Sequence, residues 1–251
     1  MKLHRTFFAC LLAAPLMLAA CSDDATADGA LSGKTLAEIP PADGTSWADI
    51  VTISPEGGYV IGNPDAPLKL VEYASHTCGA CAAFAAQGKP DLKQNYIPTG
   101  VVSFELRNLV RDPIDLAIAT LVRCGPKENM QPLSDEAWAA LNDIFARVEA
   151  NQAMYEAAGN QPVEQRFVTI AQSAGLIDFF AARGLSADQA RSCLADRAKV
   201  ENIANASSKQ SEDMGIQATP TFLLNGRILD GNQWPQVEPL LQRAGAPKKQ
   251  D

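Results

Sequence analysis

Positive charge is in short supply. Twenty-one Lys and Arg stand against 29 Asp and Glu in 251 residues, a formal net charge of −8 with a sequence pI of about 4.8. That balance weighs against nucleic-acid binding. No segment recurs at a fixed period, which disfavours a solenoid. The apolar stretch from Phe7 to Ala20 is broken by Pro15 and is too short for a membrane-spanning helix. Histidine is nearly missing, with only His4 and His76 in the whole chain, so any histidine-rich metal site is hard to assemble. What remains is 47% hydrophobic and 20% charged, enough for one large domain or for a domain with a sizeable insertion.

The short apolar stretch gives the compartment. Lys2 and Arg5 flank its start, the pattern of a secretory signal. It ends in Leu18-Ala19-Ala20-Cys21, followed by Ser22, Asp23 and Asp24. That tetrapeptide resembles the bacterial lipobox, whose cysteine becomes lipidated and N-terminal; an ordinary signal peptide cleaved nearby is the plainer reading. Both take the protein out of the cytosol. Residues 1–20 thus read as a signal peptide of the lipoprotein type, and 21–56 as a lipidated N-terminus and flexible tether. Residues 22–50 are rich in Ala, Asp, Gly, Ser, Thr and Pro with little apolar periodicity, and a coil of about 29 residues spans roughly 30 Å.

Six cysteines are present. Cys10 leaves with the signal and Cys21 takes the lipid. Cys78, Cys81, Cys124 and Cys193 remain, an even number that outside the cytosol points to two disulfides.

Along the folded part, Pro67 to Ala74 reads as a strand. Cys78 to about Tyr96 reads as an Ala-rich helix bent or interrupted at Pro90, and Val101 to Leu106 as a second strand. Together they form a right-handed, parallel βαβ unit. From Asp112 to about Gly215 the chain reads as helix. Trp138, Leu141, Ile144, Phe145 and Val148 recur at helical spacing with Ser134 as N-cap, and Ser186 with Gln189 forms a capping box. Thr219 to Leu224 reads as a strand turned by Asn225-Gly226 into Arg227–Asp230, and a last helix covers about Trp234–Ala244.

The stretch Ser75-His76-Thr77-Cys78-Gly79-Ala80-Cys81 carries the chemistry. A lone C-x-x-C occurs in zinc sites and redox pairs alike. Here Cys78 lies where a strand meets a helix, so unpaired N–H groups and the helix dipole favour its thiolate. Cys81 sits one turn inside, which suits an attacking and a resolving thiol. A metal module would have only His76 to add to the pair. Glu72, six residues before Cys78, falls by strand alternation on the face of Leu70 and Ala74. Buried there, its pKa should rise and it could shuttle the proton of Cys81; the bland alternative is a solvated edge-strand glutamate. His76 as a cation could favour the Cys78 thiolate, or stand exposed to recognise partners, or do neither. Cys124 and Cys193 fall near the two ends of the helical region, either as a staple closing a loop of about 70 residues or as two buried thiols. Pro220 stands at a strand start, where its missing N–H is tolerated.

These features together resemble the thioredoxin superfamily, and within it the bacterial DsbA-like thiol–disulfide oxidoreductases. The likeness rests on the acid six residues before "CGAC", the late "TPTF" segment and the long helical insertion, and covers about residues 57–245. It implies an α/β thioredoxin-like fold of βαβ and ββα halves at 57–111 and 215–247, with an all-helical subdomain inserted at 112–214. It makes Cys78 the nucleophile, Cys81 the resolving cysteine, Glu72 the buried acid and Pro220 a cis-proline facing the cysteines. Thr219 would offer backbone bonds to an extended substrate. The chemistry needs no cofactor and no metal. Its partners would be exported proteins with cysteines and a membrane redox partner, either a DsbB-like oxidase or an electron donor. The protein would act as a monomer on the periplasm-facing side of the bacterial envelope, held by the lipid on Cys21. DsbA itself carries a histidine between its cysteines, whereas here the dipeptide is Gly79-Ala80, so a weaker oxidant is expected. Thr before the cis-proline is more like the isomerases and reducing relatives, which leaves a reductase or isomerase as the alternative direction. A copper or zinc module using the C-x-x-C, and a redox-inert binding lipoprotein on the same fold, are the alternatives from other classes.

Overall fold

The computed structural model describes residues 33–248; the signal segment and Cys21 lie outside them. Runs of β-branched and apolar residues form strands β1 (Val51–Ile53), β2 (Tyr59–Gly62), β3 (Leu68–Ala74), β4 (Val102–Asn108), β5 (Thr221–Leu224) and β6 (Arg227–Ile228). They assemble into one sheet in the order β1-β2-β4-β3-β5-β6. β3 and β4 run parallel, in register from Leu68 against Val102 to Ala74 against Asn108, and every other pairing is antiparallel. The parallel pair requires a crossover, which helix α1 (Gly79–Asp91) supplies. The hairpin of β1 and β2 was not anticipated: its strands are too short to show a period, and their pairing is set by the turn at Ser54–Gly58.

Strand alternation divides the sheet. Leu70, Ala74, Phe104, Leu106, Phe222 and Leu224 face the main core beneath α1 and the last helix, α10 (Trp234–Arg243). Val71, Tyr73 and Leu223 face a smaller cluster with Leu109 and Ile216. Phe84 of α1 meets Phe222 edge-on at 4.7 Å between ring centroids and lies 6.1 Å from Trp234. Gly88 permits that closeness, since a Cβ there would overlap the Phe84 ring and Trp234. Pro90 lies within the last turn of α1 and offers no N–H to Ala86; the backbone then widens into a π turn at Leu92–Tyr96.

Between β4 and β5 the chain is helical: α2 (Pro113–Val122), α3 (Met130–Ala139), α4 (Leu141–Ala150), α5 (Gln152–Ala158), α6 (Val163–Ser173), α7 (Leu176–Ala181), α8 (Ala187–Ala195) and α9 (Arg197–Met214). Asp112 caps α2 by accepting from the Asp115 N–H at 2.9 Å. Ser186 and Gln189 form both arms of the capping box on α8. A disulfide joins Cys124 to Cys193, 69 residues apart, so the two are a staple and not free thiols.

Three expectations need correction. Ser134 is not an N-cap: it lies inside α3, and its hydroxyl donates back to the Met130 carbonyl at 2.8 Å. The apolar stripe from Trp138 to Val148 is split between α3 and α4, which leaves Phe145 exposed. Residues 33–50 are not a free tether. Gly33 N–H donates to the Arg243 carbonyl at 2.8 Å, Leu36 N–H to Gly245 at 2.9 Å and Ile39 N–H to Thr99 at 2.8 Å. Trp47 lies across this strap, its indole N–H 2.7 Å from the Ile39 carbonyl. Gly100, at φ +70°, leaves room for both, where a Cβ would strike Ile39 and the Trp47 ring. The strap is held mainly by backbone bonds, with Leu36 and Trp47 packed on the core, so it shows no apolar period.

Candidate active site

Cys78 is the N-cap of α1, in extended conformation with φ −97° and ψ 117°. The strand β3 delivers it, and the turn Ser75–Cys78 closes with Cys78 N–H on the Ser75 carbonyl at 3.2 Å. Across the cleft the loop before β5 brings up Thr219-Pro220, joined by a cis peptide bond. The Cys78 thiol donates to the Thr219 carbonyl at 3.2 Å. Cys78 and Cys81 are both unbridged, and Cys81 is fully buried.

The two sulfurs are pushed apart in acidity. A hydrogen bond from the Cys81 thiol, helped by Thr219 and the N–H groups of Cys81 and Ala80, outweighs burial and draws Cys78 down to about 5. Burial is the main force that raises Cys81, and its bond to Cys78 and the charge of Glu72 add to it. One thiol is thereby ready as a thiolate while the other keeps its proton.

Glu72 is fully buried in the central strand, opposite Leu106 on one side and Phe222 on the other. Neither carboxylate oxygen has a hydrogen-bond partner among the described residues. Desolvation pushes it up to about 8, against the pull of Lys89. The edge-strand reading fails because β5 pairs on the flank of β3 that an edge would leave to solvent.

Lys89 escaped the sequence reading. It is 1% exposed, its ammonium 5.4 Å from the Phe104 ring centroid and 5.1 Å from that of Trp138, and it pairs with Asp135 of α3. Lys93 holds the other Asp135 oxygen at 3.0 Å. Burial lowers the Lys89 pKa, and Asp135 resists that. A signal was available: Cys81, Ala85 and Lys89 are spaced by four and share one helical stripe.

His76 is placed differently from expectation. It is fully buried, stacked on Trp138 at 5.1 Å, with Nε2 3.1 Å from the Ser134 hydroxyl and Nδ1 3.4 Å from Asp115. Trp138 from α3 covers it, and its indole N–H binds the Ser75 carbonyl at 2.9 Å. His76 therefore does not present itself to a substrate. Nor does it complete a ligand set with Cys78 and Cys81; among the described residues no cluster of three metal-ligating side chains forms.

Gly79 and Ala80 open the first turn of α1 beside a groove of about 240 Å³, lined by Ala80, Ala83, Phe84, Gln87, Gln233 and Trp234. Its walls carry no charge. A paired-cysteine helix N-terminus, a cis-proline facing it and a buried acid beneath define a thioredoxin-fold dithiol site of the DsbA-like type.

Comparison with known proteins agrees. The family model described as thioredoxin matches residues 54–242, and the chain belongs to that family. It is 27% identical over 185 residues to the disulfide bond formation protein D of Bacillus subtilis, covering 69% of this chain and 70% of that one. It is 24% identical over 171 residues to a putative protein-disulfide oxidoreductase of Rickettsia bellii, covering 68% of this chain but only 58% of that relative. Among solved structures, the protein-disulfide isomerase of Novosphingobium aromaticivorans superposes with a TM-score of 0.67 at 28% identity, covering 73% of this chain and 94% of that one. The α-DsbA1 of Wolbachia pipientis shares the fold at a TM-score of 0.60 and 21% identity, over 77% of this chain and 93% of that one.

Proposed function

We propose that this chain is an envelope thiol–disulfide oxidoreductase that passes the Cys78–Cys81 disulfide to exported proteins. The observation that carries the reading is Cys78 at the head of α1, 3.2 Å from the carbonyl before Pro220, with its acidity raised and Cys81 and Glu72 buried behind it. In the oxidising direction a substrate thiolate attacks Cys78 Sγ and the Cys78–Cys81 bond breaks. Cys81 leaves and takes a proton, which on this reading neutral Glu72 gives. A second substrate thiolate then attacks the substrate sulfur of the mixed disulfide and expels Cys78. Cys78 leaves readily because it is stable as a thiolate, and a stabilised reduced form makes the disulfide oxidising. Thr219 offers its carbonyl to an extended substrate, and the uncharged groove receives apolar side chains near the substrate cysteine.

The lipobox-like Cys21 supports attachment to the envelope, with a membrane redox partner to restore the disulfide. Isomerase or reductase action is the second reading, favoured by Thr219 and by the likeness to the protein-disulfide isomerase of Novosphingobium. The test is trapping with Cys81→Ser, which should accumulate mixed disulfides between Cys78 and exported proteins. Absence of such adducts, with the variant folded, contradicts the proposal.

A further inference from the structure

The second disulfide has an asymmetry that a plain staple does not need. Cys193 is buried in the last turn of α8, whereas Cys124, two residues beyond the end of α2, is partly exposed. Both sulfurs sit at helix C-terminal ends, where the dipole opposes a thiolate. The balance is broken at one of them: the Lys199 ammonium donates to Cys193 Sγ at 3.1 Å. Cationic residues close to Cys124 in sequence are turned elsewhere, Arg123 to Gly57 and Asn108, and Lys127 to the Val51 carbonyl.

Exchange at a disulfide depends on which sulfur can be reached and on how well the other leaves. The greater exposure of Cys124 favours it as the sulfur attacked, and the ammonium favours Cys193 as the thiolate expelled. We propose that Cys124–Cys193 is a second exchange site, which takes external thiolates at Cys124 and releases Cys193 against Lys199. An incoming thiolate, from a small thiol or a protein cysteine, bonds to Cys124 Sγ as the Cys124–Cys193 bond breaks. Its electron pair stays on Cys193 Sγ, beside the positive charge. A second thiolate attacking the external sulfur completes a two-electron reduction: it frees Cys124, leaves the two external thiols joined as a disulfide, and opens the link between α2 and α8. This inference stands apart from the direction in which Cys78 and Cys81 run.

The experiment uses the full chain with Cys10, Cys21, Cys78 and Cys81 all replaced by Ser, so that only this disulfide reacts. Samples held in reduced glutathione are quenched with acid, alkylated and mapped by mass spectrometry; a peptide thiol in place of glutathione reports on access by larger thiols. The expected result is glutathione on Cys124 and the alkyl group on Cys193. Lys199→Gln should slow the reaction roughly fivefold, as loss of one partly exposed charge contact implies, and spread the adduct over both cysteines. Lys199→Arg, which keeps the charge, should restore rate and site. Glutathione chiefly on Cys193, a rate and site indifferent to Lys199→Gln, or reaction only at the rate of global unfolding overturns the proposal.

Discussion

At the scale of single residues, the proposed proton transfer rests on a carboxyl group that the fold keeps out of water. Glu72 has an ordinary pKa of 4.5 and is raised to about 8 by burial. The neutral form is thus favoured in the folded protein. Its stabilising effect is complete below about pH 4.5 and is lost as pH rises through about 8. Glu72→Gln should flatten this loss, which denaturant unfolding between pH 5 and 9 will measure. The same variant should slow the Cys81-dependent step by roughly tenfold or more and remove its titration near pH 8, as read by stopped-flow mixed-disulfide decay. Lys89→Met deletes the cation that pulls Glu72 down, so that titration should move upward; an unmoved profile sinks the assignment. Glu72 was legible because its six-residue offset from Cys78 and its strand parity are local. Asp135 was not, since it meets Lys89 only through packing of α3 on α1, 46 residues apart in sequence. His76 misled for the same reason: nothing near it in the chain announces that Trp138 covers it.

At the scale of elements, α1 and the insertion divide the work. The Cys81 thiol, helped by Thr219 and the first N–H groups of α1, holds Cys78 down to about 5 against burial. The thiolate's contribution to the reduced form is complete above its ordinary pKa of 9.0 and is lost as pH falls through about 5. Iodoacetamide alkylation of reduced protein should therefore show a midpoint near pH 5, and a midpoint above 8 contradicts the geometry. The insertion is tied by Cys124–Cys193. Replacing both by Ala should lower unfolding stability by about 4 kcal/mol in the chain-entropy account for a loop of this length, measured by urea titration. Helix periodicity, the capping box and the Asn225-Gly226 turn made most elements readable from residues 67 to 244. Asn225 and Gly226 take positive φ values of 49° and 82°, as a tight hairpin asks. The break between α3 and α4 was hidden, because the apolar stripe runs on through Ala139 and Ala140.

At the scale of the whole molecule, the domain begins earlier than its composition implies. The strap from Gly33 crosses to Arg243, Gly245 and Thr99, near the ends of β3 and β4 remote from Cys78. Trp47→Ala should loosen it, and amide exchange at Ile39 and Gly100 should rise without change at Cys81. Irregular backbone pairing of this sort leaves no periodic trace, whereas the thioredoxin-like order of strands and helices does. Under the proposed function the assembled fold bears on direction: with Cys78 held low over a buried Cys81 the reduced pair is favoured, and so is oxidation of clients. Equilibration of the Cys78–Cys81 pair with glutathione buffers tests this most directly. Oxidation of clients requires a potential between about −120 and −250 mV, and a value below about −250 mV rules it out, since the pair would then sit with the reductants.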